Sequence, residues 1–492
     1  MAASGHIWTR PAGAIVPSES GQCDVAGAAY MWGMTTYSAV VTTGIYCRPG
    51  CGAKPLAENV RTFEHAAAAE SAGFRACHRC RPYRVAGPVA CAEPELVCHV
   101  VQLIIDGALD DGGTEQDLAT RVGMSARHVR RLFVRHVGAT PDQLARSRRA
   151  HFARRLLDDT DLTVIDVAFA SGYGSLRQFN RAMHDVFGAS PTDLRSRRRR
   201  ADRLVADGGL ELRLPVPHAY DWDAMRAFLA VRAVPGVESV AGATYRRTIS
   251  VAGAPGLIEV SPGGPGHLRL RVHLPYWEGL IHLVGRVGQL LGADLDYGAG
   301  VTALQSDPVL GPLIRRRPGL AVPGAWTPFE VGVWAILSRG DAGSATAGLR
   351  AFVTALGSPV PGLPGGLTHL FPAPEVVSEA GLARAGLCAA GATAIAALAA
   401  AMTRTGPDRD LPPGLDEDVR EYAAFRLGRR GAFPVADPSL GAALADVGLT
   451  AAGAGRESWQ PWLALAAAHL MAHGDGLGRA NPVAPLLLAS RS

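Results

Sequence analysis

Four cysteines stand at spacings that suit a metal ion. Cys47 and Cys51 have three residues between them, Cys77 and Cys80 have two, and 25 residues separate the pairs. Two close pairs of this kind can close a tetrahedral Zn²⁺ site. A zinc-bound thiolate stays deprotonated at neutral pH and remains nucleophilic, so the same four residues could do more than hold a fold. Two plainer readings stand beside that one: a purely structural zinc ribbon, and unpaired thiols. The other cysteines are Cys23, Cys91, Cys98 and Cys388. The stretch Met1–Ser20 lacks a charged region followed by an apolar core, so a disulfide framework is the weaker expectation and a cytoplasmic, nucleoid-associated protein the stronger one. Arg48, Lys54, Arg75 and Arg79 flank the cysteines and could hold phosphates, or could be solvated surface charge.

The elements that follow have a helical period and heavy arginine content. Residues 121–200 hold 17 Arg against 7 Asp and no Lys or Glu, a local balance of +10. The whole chain sums to +5, so the remainder sums to −5. A basic island in an otherwise acidic chain points to a nucleic-acid face on one module. Leu118–Ser125 followed by Ala126–His136 reads as a helix-turn-helix, with small Ala119 at the helix contact, Gly123 in the turn and Ser125 as N-cap. A second copy starts about 50 residues on, at Val167–Tyr173 leading into Ser175–Val186, with Pro141–Leu157 as the helix between. Arg127, His128, Arg130 and Arg131 point outward from the first unit. Arg177, Gln178, Asn180 and Arg181 do so from the second. Arg reads guanine or grips phosphate, and Gln and Asn read adenine, so these eight are the candidate DNA-binding side chains. For any one of them the plainer reading is a solvated helix face.

The 492 residues suit about three domains. With 48% hydrophobic and 19% charged residues, the chain has material for real cores and too little charge for a disordered polymer. Its 58 Gly and 34 Pro show no Gly-X-Y period, which excludes a collagen-like fibre. The long uncharged stretch Ala385–Met402 is mostly Ala and Gly, which gain little in lipid, so no membrane partner is expected. After Gly208-Gly209 a third segment opens with strand-like runs near Glu211–Leu214, Thr244–Val251 and His267–His273, then turns Ala/Leu-rich and helical. The expected fold class is multidomain, mainly α with smaller α+β parts. The expected modules are residues 23–84, 95–200, 210–300 and 301–480, with 85–94 as a linker.

Three resemblances sharpen this reading. Thr42-Thr43-Gly44-Ile45-Tyr46-Cys47-Arg48-Pro49-Gly50-Cys51 and Ala72-Gly73-Phe74-Arg75-Ala76-Cys77-His78-Arg79-Cys80-Arg81-Pro82 resemble the N-terminal domain of Ada-type adaptive-response proteins. The resemblance implies that Cys47, Cys51, Cys77 and Cys80 bind zinc and that Cys47 accepts a methyl group from an alkylated DNA phosphate. Residues 95–196 resemble an AraC-type DNA-binding domain, whose two second helices enter successive major-groove segments. Double-stranded DNA, both alkylated and promoter, is the implied partner, with RNA polymerase as a further one. No Pro-Cys-His-Arg-type acceptor motif is present, so repair of O6-methylguanine is not expected.

Residues 211–475 resemble 3-methyladenine DNA glycosylase II through Ala219–Ala233, Arg317–Gly324 and Trp459-Gln460-Pro461-Trp462. That family pairs a small β domain with a helix-hairpin-helix helical domain and removes alkylated bases. The position matching its catalytic aspartate is Asp437, which by its own context is one acid among 44 and reads as a helix N-cap. Phe228, Tyr422 and Trp459 match the aromatic cleft that stacks the flipped base. Three segments differ from the family, one of them the turn near Cys388, which is Ala/Gly-rich where the family has a basic one. The phosphate-binding hairpin is Pro412-Pro413-Gly414-Leu415-Asp416, followed by Glu417-Asp418, and the wedge segment is Ser338-Arg339-Gly340-Asp341. A second reading follows from these differences: a damage-sensing transcription factor whose glycosylase-like domain is inactive.

Overall fold

The computed structural model describes residues 36–48, 51–53, 55–84, 89–90, 94–110, 112–204, 209–339, 342–405, 411, 412, 414–450 and 456–474. Residues 1–34, Lys54, Gly340, Asp341 and Pro413, on which parts of the sequence reading fall, lie outside these.

The first module is a four-stranded sheet in the order Val60–Phe63, Tyr37–Val40, Ile45–Cys47, Arg75–Ala76, with the helix Ala66–Ser71 packed on it. The hairpin between the middle strands turns at Gly44, whose φ of 63° lies in the region that glycine enters freely. Tyr37, Ala39, Tyr46 and Ala76 alternate into the core.

The second module is all helix. Among the described residues, six of its seven α-helices start on a residue whose side chain caps the backbone. Thr114, Thr140 and Thr163 form reciprocal capping boxes with Asp117, Gln143 and Asp166, while Ser125, Ser175 and Ser190 accept a backbone N–H from the first turn. Such caps satisfy amides that the helix itself leaves open. The two units are Glu115–Arg121 with Ala126–His136, and Val164–Ala170 with Leu176–Phe187. The helix Pro141–Asp159 joins them, two residues longer than the sequence reading.

The C-terminal half begins with an antiparallel five-stranded sheet in the order Leu210–Pro215, His267–His273, Ala254–Gly264, Thr244–Val251, Glu238–Ala241. The helix Trp222–Val231 covers it. The helices beyond it form two groups. One buries Leu310, Leu440, Leu444 and Leu470 against the sheet side of the molecule. The other packs Phe329, Phe352, Ile395 and Tyr422 in a separate core.

Residues 89 and 90 correct the linker reading. Val89 and Ala90 pair in parallel with Leu295 and Asp296, so the connection between the first two modules is stitched to the C-terminal half. A short backbone pairing leaves no hydrophobic period to read, which is why Pro/Gly composition alone gave a linker.

The modules do not sit as beads. One continuous core runs from Tyr37 and Tyr46, through Leu156 and Phe179, to Leu212, Leu270 and Met471. Where they meet, a buried ionic seam joins all three. Arg81 and Arg84 of the first module reach Asp158, Asp159 and Asp202. Arg154 holds Asp158, and Arg213 of the C-terminal sheet holds Asp159 at 2.7 Å. The Tyr83 hydroxyl donates to Asp158 at 2.8 Å.

Candidate zinc centre, nucleic-acid interface and base-excision site

The sheet brings the four cysteines together. Ile45 pairs with Arg75 and Tyr46 with Ala76 in parallel, so Cys47 and Cys77 emerge at the same end, and the Cys77 amide donates to the Tyr46 carbonyl at 3.0 Å. Arg81 then closes the Cys77–Cys80 turn with φ 52°, and its amide donates to the Cys77 carbonyl at 3.1 Å. A left-handed arginine costs about 1–2 kcal/mol, and the seam that Arg81 joins holds it there. All four Sγ atoms lie within 4.8 Å of one another. Tetrahedral coordination at about 2.3 Å requires sulfurs about 3.8 Å apart, so the cluster fits Zn²⁺. The protonation chemistry fits too. Cys47 is pushed well up by its hydrogen bond to Cys80 and by burial, and Cys80 down to about 5 by that same bond. Four crowded thiols cannot all ionise without a counter-charge, and a divalent cation supplies it.

Cys47 is the most buried of the four. The Tyr46 hydroxyl just before it donates to Glu70 at 2.6 Å and lies 3.1 Å from His151 Nε2, which also lies 2.7 Å from Glu70. His151 belongs to the helix joining the two helix-turn-helix units, so the strand carrying Cys47 is tied to that helix. The strand Arg75–Ala76 also packs on Leu176–Phe187. Arg48 is exposed beside the cluster.

Both second helices of the basic module present their polar sides outward. Arg127, Arg130 and Arg131 are exposed, and His128 is half-buried with Nδ1 3.2 Å from Arg131 Nη2. Arg130 lies 3.8 Å from Glu115. Arg177, Gln178, Asn180 and Arg181 are all exposed, while Phe179, Met183 and Phe187 face the core.

In the C-terminal half, Asp437, Phe228 and Tyr422 lie in one connected row, and Trp459 stands apart from it. Asp437 is the N-cap of the helix Pro438–Asp446, accepting the Ser439 amide at 2.9 Å. It is buried, and Arg232 Nη2 donates to its two oxygens at 3.2 and 3.4 Å. Arg232 lies over the Phe228 ring at 4.0 Å, with Arg426 near the same ring at 4.9 Å. Arg426 in turn donates to the Tyr422 hydroxyl at 3.0 Å, and Tyr422 stacks on Trp334 at 4.9 Å. The row Asp437, Arg232, Phe228, Arg426, Tyr422, Trp334 is therefore continuous, with the Arg426 guanidinium between Phe228 and Tyr422 and that of Arg232 between Phe228 and Asp437. Phe228 lines a cavity of only about 20 Å³. Trp459 is not in this row. It is 2% exposed, packs against Phe433, and donates its indole N–H to Asp307 at 2.8 Å. Through Phe433 it supports, from the core, the loop leading to Asp437. Sequence reasoning missed Arg232 and Arg426. The only available signal was two arginines inside otherwise apolar runs.

The acids at the hairpin also have a local explanation. Glu417 and Asp418 lie in the first turn of the helix Glu417–Arg426, where negative charge offsets the helix dipole. Asp416 pairs with Arg339 from the wedge segment, and Glu417 with Arg420.

The arrangement defines a class: a zinc-binding module and a double helix-turn-helix joined to a glycosylase-like half. Comparison with known proteins agrees. The family profile "Metal binding domain of Ada" matches residues 34–83, "Helix-turn-helix domain" matches 118–197, and "AlkA N-terminal domain" matches 211–327. The chain is 35% identical over 457 residues to a Mycobacterium tuberculosis protein named "Probable bifunctional transcriptional activator/DNA repair enzyme AlkA", spanning 88% of this chain and 91% of that protein. It is 31% identical over 158 residues to the Escherichia coli "Bifunctional transcriptional activator/DNA repair enzyme Ada", spanning 32% of this chain and 43% of that protein. It is 33% identical over 120 residues to the Escherichia coli "DNA-3-methyladenine glycosylase 2", spanning 24% and 41%. The chain belongs to the family of AlkA-type bifunctional transcriptional activator/DNA repair enzymes. Among the described residues no helix is long and apolar enough to cross a membrane.

Proposed function

We propose that this chain senses and repairs alkylated DNA. Cys47 accepts a methyl group from a DNA methylphosphotriester, the double helix-turn-helix then holds promoter DNA for transcription by RNA polymerase, and the C-terminal half excises alkylated bases such as 3-methyladenine. In the first step the Cys47 sulfur attacks the methyl carbon, the carbon–oxygen bond to the phosphate breaks, and the phosphate leaves as the ordinary diester anion. Bound zinc would keep the Cys47 sulfur in its thiolate form. The other three cysteines fix the sulfur's direction, and exposed Arg48 faces incoming phosphate. Methylation removes one thiolate charge, so a site with formal charge −2 becomes −1 and repels DNA less.

The observation that carries this reading is the docking of the strand Arg75–Ala76, which leads to Cys77, on the helix Leu176–Phe187: a charge change at the four-cysteine cluster falls near one DNA-directed helix. Mass spectrometry after exposure to DNA bearing methylphosphotriesters should find one added methyl, on Cys47. A modified protein whose Cys47 stays unmethylated would leave a structural zinc site.

For the C-terminal half, Asp437 is the carboxylate that would stabilise positive charge developing at the sugar as the base leaves. Arg232 and the Ser439 amide hold it in place. Two observations favour the second reading, a damage-responsive regulator with an inactive glycosylase-like half. Arg426 fills the space between Phe228 and Tyr422, Arg232 covers the other side of the Phe228 contact toward Asp437, and Asp416 engages Arg339. Incubation with duplex DNA containing 3-methyladenine or hypoxanthine decides between them. Base release above that of Asp437→Asn supports excision, and release equal to it supports the regulator. A cytoplasmic location on the nucleoid follows from either reading.

A further inference from the structure

The helix Pro141–Asp159 carries two arginines that none of the roles above uses. Arg148 and Arg155 are seven residues apart, two turns, and so leave the same face about 10 Å apart along the axis. Their neighbours are paired: Arg149 with Asp110, and Arg154 with Asp158. Arg148 instead donates to a backbone carbonyl, that of Ile281, at 3.3 Å. Arg155 has its Nε buried with no acceptor among the described residues. Neither lies within ion-pair distance of a described carboxylate. The carboxylates whose charge reaches them are Asp110 and Asp106 for Arg148 and Asp159 for Arg155. Asp110 is engaged by Arg149 and His282, Asp106 accepts a hydrogen bond from Gln289 at 2.8 Å, and Asp159 is held by Arg84 and Arg213. Burial pushes both guanidinium groups down to about 10, the mark of cations short of counter-charge.

Both line a cavity of about 240 Å³ where the three modules meet. The first module contributes Tyr37 and His65, and the C-terminal half contributes Ile281 and Gly285. His65 is 8% exposed, and its Nε2 is buried without a partner among the described residues. A Cβ on Gly285 would lie 2.8 Å from Arg148 Nη2, so the glycine keeps room for the guanidinium. Two carboxylates line the cavity. Glu64 is exposed, and Asp294 accepts a hydrogen bond from Gln102 at 2.7 Å.

We propose that this cavity binds a small phosphorylated ligand between Arg148 and Arg155, with His65 Nε2 as a further polar contact. Two guanidinium forks facing a common space suit the oxygens of a phosphate. The volume lies just under the usual range for small-molecule sites and suits orthophosphate or a nucleoside monophosphate. A ligand there touches all three modules at once, so occupancy stiffens their arrangement. The site is separate from the cysteine cluster, the outward faces of the DNA-directed helices and Asp437.

The test uses the full zinc-loaded chain. Thermal unfolding is followed with orthophosphate, with adenosine monophosphate, and with chloride at matched ionic strength. Either phosphate raising the melting temperature by about 2–4 °C over chloride supports the site. A rise with orthophosphate marks a free-anion site, and a rise with the monophosphate alone marks a nucleotide site. Arg155→Gln and Arg148→Gln should each weaken binding by about tenfold or more, with Arg155→Lys retaining part of it. If a glutamine variant fails to fold, the lysine variant and ³¹P line broadening of orthophosphate with the unaltered chain give the same answer. No shift by either phosphate up to about 10 mM, or a shift undiminished in the Arg155 variants, overturns the proposal.

Discussion

On the helix Leu176–Phe187, Arg177, Gln178, Asn180 and Arg181 stand in solvent, and neither arginine has an ion-pair partner among the described residues. On the segment before Glu417–Arg426, Asp416 lies in the hairpin that resembles the phosphate-binding one of the glycosylase family, and Arg339 pairs with it. Both surfaces belong to folds that address DNA. One offers unpaired positive charge, and the other spends its nearby cations, Arg339 and Arg420, internally. The difference teaches that fold and DNA-directed chemistry can be maintained separately. The C-terminal helices bury well-packed apolar cores, while acids stand at the hairpin that resembles a phosphate-binding one.

The comparison can be broken or sharpened in descending order of effect. The largest effect is at the seam between the halves. Asp158→Ala leaves Arg84 and Arg154 facing each other without their shared carboxylate. It should cost about 3–5 kcal/mol in denaturant unfolding, and a loss under 1 kcal/mol would mean the halves are stabilised independently. Next is Asp437→Asn. If the C-terminal half is a working glycosylase, base release should fall about 100- to 1000-fold, measured as abasic sites, while methyl transfer to Cys47 stays intact. Arg181→Ala should then weaken promoter binding by about 1–3 kcal/mol, if it reaches a base edge. If it only grips phosphate, all sequences weaken alike and the salt slope drops by about 1. The smallest effect is Asp416→Asn. Releasing Arg339 should raise nonspecific DNA affinity a few-fold and steepen the salt dependence by at most about 0.9. No change would show that the acidic hairpin stays away from DNA.

Much of the fold was legible because local chemistry and global structure agree. The cysteine spacing, the Ser and Thr caps, and the Arg-rich outward faces each announce their element within a few residues. The long strands Leu210–Pro215, Thr244–Val251 and His267–His273 show through their alternation. Ala254–Gly264 did not, because its prolines and glycines read as loop, and Glu238–Ala241 is a short edge strand. The catalytic candidate Asp437 was locatable by resemblance, and its N-cap role by its own context. Its partner Arg232 was not, since that pairing spans 205 residues and leaves no periodic trace. The same is true of Arg148 and Arg155. In the sequence they are two of seventeen arginines in a basic block, and only the packing of three modules shows that they face inward.

The continuous core has a consequence for how the molecule comes apart. Tyr46 beside the acceptor cysteine and Met471 near the end of the described chain belong to one buried cluster. Three modules sharing one interior should not melt as three. Calorimetry should show the zinc module, the second helix-turn-helix and the C-terminal sheet losing structure in a single endotherm. The first helix-turn-helix, which has its own small core around Leu118 and Phe133, is the piece free to fray ahead of it.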